Sequence, residues 1–142
     1  MPDLTMSAEE LDRFLAEERV VRIATLDDEG WPAVVPLWFV WHDGALWVWN
    51  LNRARRTGRL EAGAPAAIVV DAGEQYVELR GASGRAVAQR IADDDVPVEV
   101  RVAYSRKHFG TDHPLEPADH HTWFRLVPSG LATWDFRKLV AG

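Results

Sequence analysis

The sequence contains no cysteine among its 142 residues. It therefore has no disulfide framework, no thiolate nucleophile and no metal site ligated by thiolates. No apolar run approaches the length that crosses a bilayer, and residues 1–10 lack the basic start and apolar stretch of a secretory signal. These absences predict a soluble protein of the cytoplasm with no membrane partner.

Basic residues are in the minority, with 16 Lys and Arg against 22 Asp and Glu and a net charge of −6. Because nucleic-acid binding proteins need positive surface to displace counterions from phosphates, no nucleic-acid partner is expected. The length suits one domain, and no repeat or linker divides the chain, so residues 1–142 are expected to form a single domain. Seven tryptophans are many for this length, and rings that large need a core or a planar partner.

Turn residues separate short β-branched segments along most of the chain. A helix is predicted first, because Ser7 and Glu10 match a capping box and apolar residues then recur at helical spacing up to about residue 18. Strands are predicted at 20–26, 33–41, 46–50, 66–71, 76–88, 122–127 and 131–136, with further helices within 51–63 and over 93–108.

The first three strands are joined by short polar turns, which predicts an antiparallel meander. Gly81 and Gly84 interrupt the fifth strand, which predicts a bend or a bulge there. Six or seven strands with two or three helices at the ends and between strands predict an α+β, barrel-like domain.

Four arginines cluster within 51–63, namely Arg53, Arg55, Arg56 and Arg59. A phosphate or phosphodiester needs charge-assisted donors in a fork geometry, which arginine supplies better than lysine. A run of charges is more often a solvated helix surface. On these residues alone, both interpretations stay open.

Four segments together resemble the pyridoxamine-5′-phosphate-oxidase-like family of flavin and deazaflavin oxidoreductases. Residues 30–39, Gly-Trp-Pro-Ala-Val-Val-Pro-Leu-Trp-Phe, are similar to its second strand, which reads Gly-x-Pro, three strand residues and Pro-x-Trp-Phe. Residues 50–60 are similar to the segment that grips a phosphate. Residues 69–81, and 124–128 with Trp134 after them, resemble later strands. The resemblance covers 20–136 and implies an FMN-binding split β-barrel of mostly antiparallel strands, working as a homodimer.

The resemblance also implies where a cofactor binds. Arg55 and Arg56 fall where the oxidase holds the phosphate of FMN with an Arg-Lys pair, whereas Arg59 is expected on the plain surface. Trp38 and Trp134 are expected as neighbours of the cofactor ring. The cofactor-binding residues implied in this way are Val35, Pro36, Leu37, Trp38, Asn50, Arg53, Arg55, Arg56, Tyr76 and Trp134.

Several positions depart from the oxidase. Asn50 replaces a Thr and Ala54 a Ser, while Val35 and Val40 replace an Arg and a Lys. Tyr76 replaces a Gln that reaches the flavin from the partner subunit. These changes remove polar contacts of the oxidase, so the resemblance implies a related redox enzyme and not pyridoxamine-phosphate oxidation itself.

The function implied is flavin- or deazaflavin-dependent oxidation or reduction of a small organic substrate at a dimer interface. FMN is the family default. Coenzyme F-420 is the alternative, because the Ala-, Arg- and Asp-rich composition resembles the actinobacterial branch and Arg53 and Arg59 would suit its acidic tail. No general acid or base is identified. The rival hypotheses are a non-catalytic binder of FMN, haem or another planar ligand, and a cofactor-free dimer that serves as a scaffold.

Histidines concentrate in the last third of the chain, at His108, His113, His120 and His121. Their spacing matches none of the usual zinc motifs, and no metal site is predicted. A serine hydrolase is also not expected, because no Gly-x-Ser-x-Gly segment is present.

Overall fold

The computed structural model describes residues 2–140, so Met1, Ala141 and Gly142, which the predicted domain 1–142 includes, lie outside the described residues. Three α-helices are present in 2–140: α1 (Ala8–Glu17), α2 (Arg55–Glu61) and α3 (Val98–Phe109). The strands in the same range are β1 (Val20–Leu26), β2 (Pro32–Trp38), β3 (Val40–His42), β4 (Ala45–Leu51), β5 (Ala66–Ala72), β6 (Arg80–Ile91) and β7 (His121–Asp135).

All seven strands belong to one antiparallel sheet in the order β2-β1-β5-β6-β7-β4-β3. The two edge strands of this order, β2 and β3, follow each other in the chain and are separated by Phe39 alone. The sheet therefore curls until its two edges meet. This architecture confirms the predicted α+β split barrel, with seven strands and three helices.

The predicted second strand, 33–41, is broken at Phe39, which the sequence analysis missed. Phe39 and Val40 are both buried, although neighbours on a regular strand point to opposite faces. Phe39 packs in the barrel interior and Val40 packs outside it, against the cluster under α3. Because of this break, β2 pairs with β1 while β3 pairs with β4, so the predicted meander closes the barrel instead of lying in one flat sheet.

Three further boundaries differ from the prediction. Tyr76–Glu78 forms a 3-10 helix, so the strand predicted at 76–88 begins only at Arg80, as β6. The two predicted final strands are one strand, β7, that passes through Gly130 at a φ of 61°. A 3-10 turn occupies Asp93–Asp95, and α3 starts at Val98, after Pro97.

The predicted bulge is confirmed between Ser83 and Arg85 of β6. A side chain on Gly84 would place its Cβ 3.0 Å from the carbonyl oxygen of Ser129 on β7, so a larger residue would require the backbone of β7 to shift by a few tenths of an ångström. The capping box is confirmed as well, since Ser7 accepts from the amide of Glu10 and Glu10 accepts from the amide of Ser7.

Helices α1 and α2 pack at opposite ends of the barrel. Phe14 and Leu15 of α1 and Leu60 of α2 all belong to the interior core. Arg80, the first residue of β6, lies over the ring of Phe14, whereas Arg90 near the end of β6 pairs with Glu61 of α2. The length of β6 therefore separates the two helices.

Helix α3 packs outside the barrel over a second apolar cluster. Trp47 and Trp123 are nearly fully buried there against Val100 and Tyr104. The density of tryptophan in the sequence is explained in part by this layer, because large rings fill the space between a helix and the outer face of a sheet. Within residues 2–140, no helix is both long and apolar enough to cross a membrane.

Candidate cofactor site

The arginine cluster lies at the end of the barrel that α2 closes. Asn50, near the end of β4, is fully buried, and Arg56 donates from Nε to Oδ1 of Asn50 at 3.3 Å. The α2 segment is held in place by Thr57, whose hydroxyl donates to the carbonyl of Leu51 at 2.8 Å. The Nδ2 of Asn50 is buried and has no hydrogen-bond partner among the described residues.

Arg56 is half-buried, and within residues 2–140 no carboxylate lies at ion-pair distance from it. Burial lowers the pKa of Arg56, because the charged form loses hydration. A desolvated cation and an unused amide donor on the same spot are both costly unless an anion completes them. The chemistry of this donor set fits a phosphate.

Arg59 does not lie on the plain surface, which corrects the expectation for this residue. It is half-buried, and its Nη1 donates to Oγ1 of Thr25 on β1 at 3.4 Å. Arg59 follows Arg56 by three residues, and that helical spacing turns both side chains toward the barrel. Thr25 is a buried polar residue that the sequence analysis did not single out.

Arg53 and Arg55 are exposed and line different cavities. Arg55 borders a space of about 590 Å³ opposite the acidic turn of Asp27 and Asp28. Arg53 borders a smaller space of about 330 Å³ beside His120 and His121. The structure therefore places Arg56 and Asn50 together and directs the other two arginines elsewhere.

The four β2 residues implied to contact the cofactor ring divide between the two faces of the strand. Val35 and Leu37 are half-buried, and Leu37 packs against the interior core. Pro36 and Trp38 are exposed on the outer face. This alternation is the normal geometry of a strand, so only Val35 and Leu37 face the same side as Asn50.

Trp38 lies on a histidine near the end of α3. Its indole is stacked on the imidazole of His108, with ring centroids 4.7 Å apart and planes 10° apart. The Nε2 of His108 donates to the carbonyl of Phe39 at 2.9 Å, which leaves Nδ1 buried without a partner among the described residues. Tyr104 is also in contact with the imidazole. The spacing of the histidines gave no sign of this contact between His108 and Trp38.

Burial lowers the pKa of His108 to about 4, below the usual value of 6.5. The unfolded chain then binds a proton more tightly than the folded one, so we expect stability to be complete above about pH 6.5 and to fall as the pH drops toward 4. The loss is on the order of 3 kcal/mol. Denaturant titrations at pH 7 and 4.5 measure this loss. In His108→Gln, which keeps an N–H donor, the free energy of unfolding should be nearly the same at the two pH values. The same loss of unfolding free energy in the variant and the parent would contradict the assignment.

Tyr76 and Trp134 lie far from Arg56 within one chain. Tyr76 contacts Phe136, and the ring of Trp134 packs on Gly81, where a Cβ would come within 2.3 Å of it. Trp134 is near the end of β7, whereas Thr122, which pairs with Asn50, is near its start. Nearly the whole length of β7 therefore separates the two groups of predicted cofactor residues.

The histidines do not converge on a metal. Within residues 2–140, no three side chains of His, Asp or Glu come close enough to hold a metal ion. His121 is instead stacked on Trp49 with ring centroids 4.0 Å apart.

We expect treatment with EDTA to leave the melting temperature and cofactor binding unchanged, as measured by thermal denaturation and by cofactor titration before and after dialysis. Stoichiometric zinc in elemental analysis would contradict this expectation.

Residues 7–135 match the sequence family described as pyridoxamine 5′-phosphate oxidase. The chain belongs to this family. The resemblance expected from the residues is thereby confirmed. Comparison with curated proteins gives no match.

Solved structures extend the similarity to the whole fold of this family member. The conserved hypothetical protein Rv2991 of Mycobacterium tuberculosis is 22% identical, with a TM-score of 0.85 over 100% of this chain and 92% of that one. The haem storage protein HutZ of Vibrio cholerae is 23% identical, with a TM-score of 0.73 over 89% and 94%. The FAD and haem binding protein of Mycobacterium smegmatis is 19% identical, with a TM-score of 0.76 over 99% and 80%. At these identities the likeness establishes the fold.

Proposed function

We propose that the protein is a cytoplasmic, homodimeric flavin-dependent oxidoreductase that binds FMN by its phosphate and acts on a small organic substrate. The observation that carries the proposal is the pair of Arg56 and Asn50: a half-buried guanidinium without a carboxylate among the described residues, beside a buried amide donor without a partner. An anion with several acceptor oxygens satisfies both groups at once.

The chain's own residues bind and shield the cofactor. Arg56 and Asn50 hold the phosphate, and the half-buried Val35 and Leu37 offer an apolar wall that excludes water. Bound flavin would supply the transfer of a hydride or of single electrons. None of these side chains carries a carboxyl, imidazole, thiol or phenol group, so they contribute binding and orientation, and we assign no general acid or base.

FMN is favoured over coenzyme F-420 by the directions of the arginines. The acidic tail of the deazaflavin would need several cations along one path. Arg53 and Arg59, the arginines expected to suit that tail, instead line two separate cavities. A single phosphate matches the single site formed by Arg56 and Asn50.

A homodimer is supported by the outer face of the sheet. Apolar side chains are exposed there on β1, β2, β6 and β7: Leu26, Pro32, Val34, Val87 and Val127. Three of them, Leu26, Pro32 and Val87, border an apolar space of about 500 Å³. An exposed apolar face of this extent marks an interaction surface. Tyr76 and Trp134 lie far from Arg56 in their own chain, so a contact with the same cofactor would require them to come from a second copy.

The test is the spectrum of the purified protein and its response to a reductant. We expect a yellow protein, or stoichiometric uptake of FMN by the apoprotein, with bleaching on addition of NADH or NADPH. Retention of FMN without bleaching would indicate a non-catalytic FMN-binding protein. A haem spectrum would indicate a haem-binding protein. HutZ, a haem storage protein of the same fold, makes that second candidate concrete. A protein that takes up neither ligand would contradict both.

A further inference from the structure

The outer face of the sheet contains a pocket of about 500 Å³, a size that is common for small-molecule sites. Among its lining residues Arg85 is charged, Thr25 and Ser129 carry hydroxyl groups, and the others are Ala, Leu, Pro or Val. No acidic side chain of residues 2–140 lines the pocket. A mainly apolar pocket with few polar groups is the usual form of a site for an organic ligand.

The pocket forms where small side chains meet on adjacent strands. Ala24 of β1 pairs with Ala67 of β5, and Ala67 pairs in turn with Arg85 of β6. Because alternate residues of a strand share one face, Leu26 on β1 and Val87 on β6 stand on the same face as these three residues. The two alanines therefore form a low floor, and the larger Leu26 and Val87 border it.

The guanidinium of Arg85 lies at this floor without a counterion from the described chain. Within residues 2–140, Arg85 makes no ion pair, whereas Arg22 on β1 and Arg90 further along β6 are both paired with carboxylates. The residues opposite Arg85 on the neighbouring strands are Ala67 and Ser129, whose side chains are too short to cover it. An unpaired cation beside an apolar floor is complementary to a ligand with one anionic end and an apolar body.

We propose that this pocket binds small apolar carboxylates, with the carboxylate on Arg85 and the apolar body on the alanine floor. The planar guanidinium donates two parallel hydrogen bonds to a carboxylate, and the hydroxyl of Ser129, opposite Arg85 in the ladder, is a further donor. The inference does not depend on flavin binding at Arg56. The pocket is a depression in the face that we propose a second copy covers, so a bound ligand would lie between the two copies.

The experiment measures binding of phenylacetate and of phenylacetamide to the full-length protein by isothermal titration calorimetry at pH 7. The two compounds share an apolar body, so the difference between their affinities reports the charge. We expect phenylacetate to bind roughly tenfold more tightly, because hydrogen bonds between charged groups are stronger than neutral ones. Equal affinities would overturn the inference. So would a dimeric protein that binds neither compound, because the second copy would then fill the pocket itself.

Two substitutions of arginine on the same outer face test the assignment to Arg85. Arg85→Gln keeps hydrogen-bond donors and removes the charge, so it should bind phenylacetate no more tightly than phenylacetamide, with the affinity for the amide unchanged. Arg22→Gln is the matched control, since Arg22 already has Asp71 as its partner, and it should bind both compounds as the parent does. An equal loss of preference in both variants would mean that only net charge matters, and the pocket would be wrongly assigned.

Two further variants separate the pocket from other sites. Ala67→Leu fills the floor with a larger side chain that suits an exposed strand position, so it should weaken binding of both compounds severalfold. Unchanged binding in this variant would contradict the proposed floor. Arg56→Ala should bind phenylacetate as the parent does. If it loses this binding instead, the carboxylate occupies the phosphate site and the inference is wrong, whatever the protein does with flavin.

Discussion

Arg56→Ala is expected to weaken FMN binding by roughly tenfold to a hundredfold. The guanidinium donates charge-assisted hydrogen bonds to the phosphate, and each bond of this kind contributes about 1.5–3 kcal/mol. Titration of apoprotein with FMN, followed by flavin fluorescence, measures the change. Riboflavin has no phosphate, so its affinity should be the same in the variant and the parent. Equal losses for FMN and riboflavin would mean that Arg56 acts through the fold, and the phosphate assignment would be wrong.

The stability of the apoprotein gives an independent readout of the same residue. A half-buried cation without a carboxylate costs desolvation energy, so Arg56→Ala should leave the free energy of unfolding unchanged or slightly raise it. Asn50→Asp would give Arg56 a carboxylate in place of the phosphate. We expect this variant to be more stable without cofactor and to bind FMN more weakly than the parent. Arg13→Ala, an exposed change on α1 at the other end of the barrel, should change neither quantity.

Val87→Asp is expected to convert a dimer into a monomer. Val87 is 70% exposed in the single chain and pairs across the ladder with Val127 on the outer face of the sheet. A carboxylate in the centre of an apolar interface would lose its hydration without gaining a partner, at a cost of several kcal/mol. Each 1.4 kcal/mol raises the dissociation constant tenfold. Sedimentation velocity at micromolar concentration should therefore show a dimer for the parent and a monomer for the variant.

The matched control for this change is Val98→Asp, which places the same carboxylate on an exposed valine of α3, away from the outer sheet face. It should remain dimeric. If Tyr76 and Trp134 reach the flavin from the second copy, the monomeric Val87→Asp variant should also lose affinity for riboflavin, which Arg56→Ala retains. A parent protein that sediments as a folded monomer at micromolar concentration would contradict the dimer.

The sequence was sufficient to predict the elements that depend on interactions within a few residues. The side chains of Ser7 and Glu10 each accept a hydrogen bond from the other residue's backbone amide, so the start of α1 was predictable from their spacing. Asp43 and Gly44 both adopt positive φ, of 49° and 74°, as an Asp-Gly hairpin turn requires. Gly84 indicated the bulge, and a Cβ there would come within 3.0 Å of the carbonyl oxygen of Ser129 on β7. The order of such elements was also enough to indicate the family.

The site depended on contacts between distant segments. Arg56 and Arg59 belong to one run of arginines, yet one lies against a buried amide without an acidic partner and the other against Thr25, 34 residues away. The burial of Lys107 was likewise not predictable from its neighbours in the sequence, because its amine lies over the ring of Phe39 and donates to the carbonyl oxygen of Leu15 on other elements. Residue type and spacing therefore determined the fold and the segment that carries charge. Which charged side chains are desolvated and lack an ion-pair partner was determined only by the tertiary structure of the barrel. Desolvation depends on what packs around a group and not on its position in the sequence.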